Sequence, residues 1–170
     1  MELLPYGEAD LALTERLETD PETMRHLGGP VSADHVPAIH RRRMDSAGDG
    51  WWFKIVLEPG GSPAGTIGIW DNEHGGHRIH ETGWTVLPEF RGRGIASQAL
   101  ELLISRARAD GSFDAIHAFP AVTNDPSNAL CRKFDFELVG DEEFNFRGHQ
   151  LHCNHWVLSL GSSASGPIQG

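Results

Sequence analysis

A chain of 170 residues has the length of one domain, since two would each be left with a thin core. Hydrophobic residues make up 39% and charged residues 22%, the balance of an ordinary folded domain, which excludes a disordered chain. Fourteen Lys and Arg against 24 Asp and Glu give a net charge of −10, the reverse of a nucleic-acid footprint and a pull on cationic partners.

No stretch approaches the roughly 20 apolar residues of a bilayer span, so no membrane-crossing helix is expected. Glu2, Glu8 and Asp10 stand where a signal peptide would carry basic residues, so a cytoplasmic setting is expected. The two cysteines, Cys131 and Cys153, are too few for a disulfide scaffold and read as free thiols.

In chain order, residues 2–6 read as a strand and 10–18 as a helix with Leu11, Leu13 and Leu17 at mixed helical spacing. Asp20-Pro21 is a helix-start signature, Gly28-Gly29-Pro30 a stop, and Ser32 a second start for a helix over 36–44. A turn at 46–50 leads into a strand at 51–57 dense in aromatic and β-branched residues. After the turn at 58–61 come strands at 64–70 and 79–87, joined by a polar link over 71–78. From Gly92 to about residue 109, Ala96, Leu100, Leu103 and Ala107 recur at intervals of four, three and four, the trace of one helix face. A strand at 114–119, a helix capped by Asn124 or Ser127 and running through Lys133, and strands at 136–146 and 150–160 complete the domain. The expected fold is α/β (α+β): a single mixed, mostly antiparallel sheet of about seven strands flanked by helices over residues 1–160, with a flexible tail at 161–170.

Between the strand ending near Val86 and the best helix of the chain lies Arg91-Gly92-Arg93-Gly94-Ile95-Ala96-Ser97. The first N–H groups of a helix lack internal partners and sit at the positive end of its dipole, so this turn can hold phosphate oxygens. Five of the fourteen basic residues, Arg91, Arg93, Arg106, Arg108 and Arg132, fall within 91–132, which suggests an anionic ligand met there. The turn lacks the lysine and Ser/Thr of a nucleoside-triphosphate loop and the third glycine of a dinucleotide fingerprint.

Arg91, Gly94 and Ala96 match the Arg/Gln-x-x-Gly-x-Gly/Ala signature, and on them the chain resembles the GNAT superfamily of acyl-CoA-dependent N-acetyltransferases. Residues 124–136 are similar to that family's Asn, Ser, Leu, Lys, Gly-Phe pattern, with Asp135 where glycine is usual, and residues 20–30 resemble the opening of the branch containing ribosomal-protein and small-molecule acetyltransferases. The resemblance implies acetyl-CoA as co-substrate. Its pyrophosphate would lie on the main chain of Arg91, Gly92, Arg93, Gly94, Ile95, Ala96 and Ser97, and its pantetheine arm would be added along Trp84, Thr85 and Val86, with Asn124 and Asn128 bonding its carbonyls.

Acetyl transfer to an amine needs a base, because an alkylamine with a pKa near about 10.4 is protonated at neutral pH. Glu81 sits at the family spacing for such a base, His80 is the runner-up and His117 a third candidate. Strand periodicity puts Glu81 with Gly83 and Thr85 on one face and His80 with Thr82 and Trp84 on the other, so one set alone can face the acyl group. The resemblance assigns oxyanion stabilisation to a main-chain N–H near Val86, and Cys131 occupies the position of the tyrosine that protonates the leaving thiolate in relatives. No metal is expected. His74, His77 and His80 span a Gly-Gly loop without fixed geometry, and in the second group, His149, His152, Cys153 and His155, strand periodicity points His152 and Cys153 to opposite faces.

The acceptor expected from the net charge is a cationic small molecule such as an aminoglycoside-type antibiotic or a polyamine, with a protein N-terminal amine second. A non-catalytic acyl-CoA sensor is the alternative from another class, and a homodimer is left open.

Overall fold

The computed structural model describes residues 1–46 and 51–161. The expected turn at 46–50 lies outside these after its first residue, as does the expected tail from 162 on. Seven strands form one sheet: β1 (Glu2–Pro5), β2 (Trp52–Val56), β3 (Pro63–His74), β4 (His77–Val86), β5 (Ala115–Ala118), β6 (Glu137–Phe146) and β7 (His149–Ser159). Their order is β1-β2-β3-β4-β5-β7-β6, and every neighbouring pair is antiparallel except β4 and β5. That parallel pair is joined by the crossover helix α3 (Ile95–Asp110), as parallel neighbours require. The other helices are α1 (Leu11–Thr19), α2 (Val36–Ser46) and α4 (Asp125–Lys133). Among the described residues no helix is long and apolar enough to cross a membrane.

Alternation along the strands divides the apolar side chains between two faces. Phe53, Ile55, Ile67, Ile69, Ile116 and Leu158 join Ala99, Leu100, Leu103 and Ala107 of α3 in the main core. Leu13 and Leu17 of α1 build a smaller cluster with Tyr6 and Leu87, against which Trp52 and Met44 of α2 pack. Asn124 caps α4, its side chain accepting from the Ser127 N–H at 3.3 Å, which decides between the two caps open in the sequence.

The polar link expected at 71–78 is instead the end of a long hairpin. β3 and β4 stay in register from Gly65↔Val86 to His74↔His77 and turn at Gly75-Gly76, both with positive φ (57° and 78°). Asp71 there pairs with Arg78 and meets His80, so polar pairs stand in for the apolar alternation that marks a half-buried strand. The signature at Asp20-Pro21 yields turns instead of a helix: Asp20 accepts from the Thr23 N–H at 2.6 Å, and this bonding to Thr23 holds the Asp20 carboxyl below its usual range.

Candidate active site

β4 and β5 pair at Glu81↔His117, and beyond that point they part. Along its other edge β4 follows β3 without a break, with the Leu87 N–H donating to the Ala64 carbonyl at 2.9 Å. Alternation in an antiparallel ladder therefore turns the main-chain groups of Val86 and Trp84 away from β3. Arg91 confirms the side, its Nε donating to the Val86 carbonyl at 3.1 Å. A cavity of roughly 590 Å³ occupies the space so opened. Gly83, Trp84 and Thr85 form one wall, Ala118, Phe119 and Pro120 another.

Glu81 lines this cavity. Burial pushes its carboxyl above the usual range, against hydrogen bonds from Asn72 (Nδ2 to Oε2, 2.5 Å) and Trp70 that favour the ionised form. His80 is turned to the opposite face, against Phe113 (ring centroids 4.9 Å apart) and Asp71 (3.1 Å), so as the alternative base it stands on the wrong side of the sheet. His117 is the register neighbour of Glu81 but donates to or accepts from His155 at 2.8 Å, and burial, with His74 and His80 nearby, holds its imidazole below its ordinary pKa. Cys131 is a fully buried member of the main core, and burial pushes its thiol up to about 12. A thiol so placed packs, and Cys131 does not border this cavity, so the acid expected there is not supplied by it.

The turn before α3 has the geometry of an anion cradle. Gly92 and Gly94 both hold positive φ (70° and 71°), a conformation that strains any residue with a β-carbon. Gln98 donates to the Gly94 carbonyl at 3.1 Å as the helix begins, which leaves the N–H groups of Ile95, Ala96 and Ser97 at its open end. Ser97 Oγ accepts from Lys133 Nζ at 2.6 Å, so α4 brings to this turn the lysine of the 124–136 motif, a placement the sequence did not announce. Arg93 is exposed there and lies over Phe90 (5.8 Å), whereas Arg91 is folded back onto Thr23 Oγ1 (2.8 Å) and Glu22 (3.5 Å), bracing the 20–30 segment. Arg106 likewise leaves the expected anion cluster, donating to the Leu3 carbonyl at 3.0 Å.

The two asparagines part company. Asn124 lines the cavity, while Asn128, only 3% exposed, is saturated with internal bonds. Its amide donates to the Ala121 and Asn124 carbonyls (2.9 Å each), and its oxygen accepts from Asn154 (2.8 Å) and Trp156 Nε1 (2.9 Å). The pantetheine contact expected of Asn128 has no group left to make it.

Away from the cradle the cavity is walled by Trp52 and Trp70, stacked with centroids 4.8 Å apart, and by Arg42, Arg43 and Arg147. Glu18 is buried between two of these arginines, accepting from Arg43 at 2.6 Å and from Arg147 at 2.7 Å. Arg147 comes from the β6–β7 turn, nearly 130 residues from Glu18 in the chain, so no local spacing could have announced the group.

His74, from the group expected to lack fixed geometry, is brought to His155 of the strand group. His74, at the end of β3, lies with Nε2 at 3.2 Å from Glu142 Oε1, and His155 Nδ1 on β7 lies 3.7 Å from the same oxygen. Burial first, then His74 and His117, lowers His155 to about 4. The long hairpin supplies the fixed geometry that a loop would have lacked.

The family profile described as "Acetyltransferase (GNAT) domain" matches residues 1–137. Among solved structures, an acetyltransferase (GNAT family) from Bacillus anthracis superposes with a TM-score of 0.76 at 16% identity, covering 93% of each chain. A ribosomal-protein-alanine N-acetyltransferase from Brucella melitensis gives 0.75 at 23% identity, covering 94% of this chain and 99% of that one. A GNAT superfamily phosphinothricin acetyltransferase from Sinorhizobium meliloti, solved in complex with AcCoA, gives 0.71 at 22% identity, covering 99% of this chain and 94% of that one. A search of curated proteins finds no match. With a bare β4 edge running into a glycine cradle and a family match over four-fifths of its length, the chain belongs to the GNAT family of acetyl-CoA-dependent acetyltransferases.

Proposed function

We propose that this enzyme acetylates the primary amine of a small molecule that also carries an anionic group, by direct attack on acetyl-CoA within a ternary complex. The observation that carries the reading is the single cavity bordered by both the open edge of β4 and Glu81. Acetyl-CoA would lay its diphosphate on the amides of 92–97, beside Lys133, and its pantetheine arm along Trp84 and Val86, as an added strand. The amine would then meet the thioester beside Glu81.

In this scheme Glu81 accepts the proton of the attacking amine, directly or through one water. A carboxyl raised by burial is a stronger base than one in water, which suits it to the task. The carbonyl carbon gains the C–N bond, its oxygen takes the charge and is met by the main-chain N–H of Val86, and collapse breaks the C–S bond. The CoA thiolate takes its proton from solvent, since Cys131 is sealed in the core. Holding both reactants in one cleft supplies much of the rate.

The net charge of the whole chain points to a cationic acceptor, but the wall beside Trp52 and Trp70 reverses that local sign. Three arginines face two carboxylates there, and the one Glu18 carboxylate is already shared by two of them. Such a wall favours a carboxylate or phosphate on the acceptor and opposes a polyamine.

A panel of amines with thiol detection tests it: amino-acid-like acceptors, polyamines, aminoglycosides and a peptide with a free N-terminus. Thiol release with anionic amines supports the reading, and release with polyamines alone contradicts the acceptor assignment. No release with any amine, beside a melting shift with acetyl-CoA, would make the protein an acyl-CoA sensor.

A further inference from the structure

β3 and the β6–β7 hairpin, far apart in sequence, place His74 (β3), Glu142 (β6) and His155 (β7) around one point, with one ligand atom from each lying within 4.8 Å of the others. We propose that these three side chains form a zinc site. A tetrahedral ion with bonds of about 2.0–2.1 Å sets its ligand atoms roughly 3.3–3.4 Å apart. Glu142 Oε1 stands 3.2 Å from His74 Nε2 and 3.7 Å from His155 Nδ1, so small side-chain rotations complete the geometry.

Two features distinguish this group from a chance meeting of polar side chains. The ligating nitrogen of His155 is oriented from behind, because its other ring nitrogen is hydrogen-bonded to His117 Nδ1 at 2.8 Å, the kind of outer partner that fixes a metal-binding imidazole. The site is also walled by aromatic rings while keeping access: Phe119 stacks on His155 at 4.5 Å, Phe144 lies 6.3 Å from His74, and the three ligands remain partly exposed. Two imidazoles and one carboxylate, with a fourth position left to water, form a donor set that suits zinc and leaves calcium and magnesium poorly served.

Zinc there would tie the tip of the β3–β4 hairpin to β6 and β7. Since Phe119 both stacks on His155 and lines the cavity, the bound ion would stiffen one wall of the cleft without touching the reacting atoms. The site stands independently of the acceptor assignment.

The test is calorimetry of chelator-treated full-length protein with Zn²⁺, paired with the visible spectrum after Co²⁺ addition. The expected result is one ion per chain, a tetrahedral cobalt spectrum and a raised Tm. His74→Ala and Glu142→Gln should abolish stoichiometric uptake, and His117→Phe should weaken it by about 10–100-fold. His152→Ala should bind as the wild type does, because His152 is paired with Asp141 outside this group. Absence of stoichiometric uptake by the wild type overturns the proposal whether or not any variant folds. Uptake that survives both His74→Ala and Glu142→Gln, or that follows His152, overturns it equally.

Discussion

Glu81 and His117 are Cα partners at the point where β4 and β5 pair, and the cleft begins directly beyond them. The parting of two parallel strands thus does two things at once: it bares the main chain of β4 and sets a carboxyl at the head of the opening.

Glu81→Gln is expected to lower kcat by about 10²-fold, the lower range for loss of a general base, and to remove the acidic limb of the rate profile. Stability should move the other way. A carboxyl raised by burial binds its proton more tightly in the folded chain than in the unfolded one, so at neutral pH its ionised form weakens the fold. The variant should melt above the wild type at neutral pH, and the gap should close as pH falls towards the ordinary carboxylate range. A pH series of kcat and Tm on both proteins measures this.

Asn128→Ala is expected to cost about 3 kcal/mol or more, since it strands the buried indole N–H of Trp156 and the amide of Asn154 together with two carbonyls. Urea unfolding reads the loss, while the Kd for acetyl-CoA of the folded fraction should stay near that of the wild type.

Gly65→Ala should destabilise by about 1–3 kcal/mol or more, because its β-carbon would fall 2.1 Å from the Thr85 carbonyl oxygen and force β3 from β4. Thermal melting is the measure, with loss of soluble expression as the extreme outcome.

Neither cysteine should react with an alkylating reagent in the native protein at mildly alkaline pH. Burial, the chief cause in each, pushes Cys131 up to about 12 and Cys153 up to about 11, which keeps both protonated. Mass spectrometry should find labelling only after denaturation, and Cys131→Ala should release thiol from acetyl-CoA at close to the wild-type rate.

What could be read from the sequence was local. The turn before α3 was legible because glycine at positive φ and a helix start leave a mark within a few residues, and α3 because its apolar spacing is regular. Asp135 holds φ of 60°, which explains why the family pattern favours glycine there and why aspartate, tolerant of that region, can replace it. Strand parity narrowed the base to one of two faces, but only packing could say which face the cavity takes. Residues 71–78 defeated the reading, since a hairpin wet on both sides shows no alternation. The buried Glu18 between Arg43 and Arg147, and the meeting of His74 with Glu142 and His155, depend on contacts across the whole chain. Net charge, an average over every residue, was silent about the sign of one cavity wall.

The most direct measurement is a crystal structure of the protein with acetyl-CoA, supported by calorimetry. The account predicts a diphosphate bonded by main-chain N–H groups within residues 92–97 and a thioester carbonyl beside Val86 and Glu81. A diphosphate seated elsewhere, or no heat of binding with the coenzyme, would contradict it.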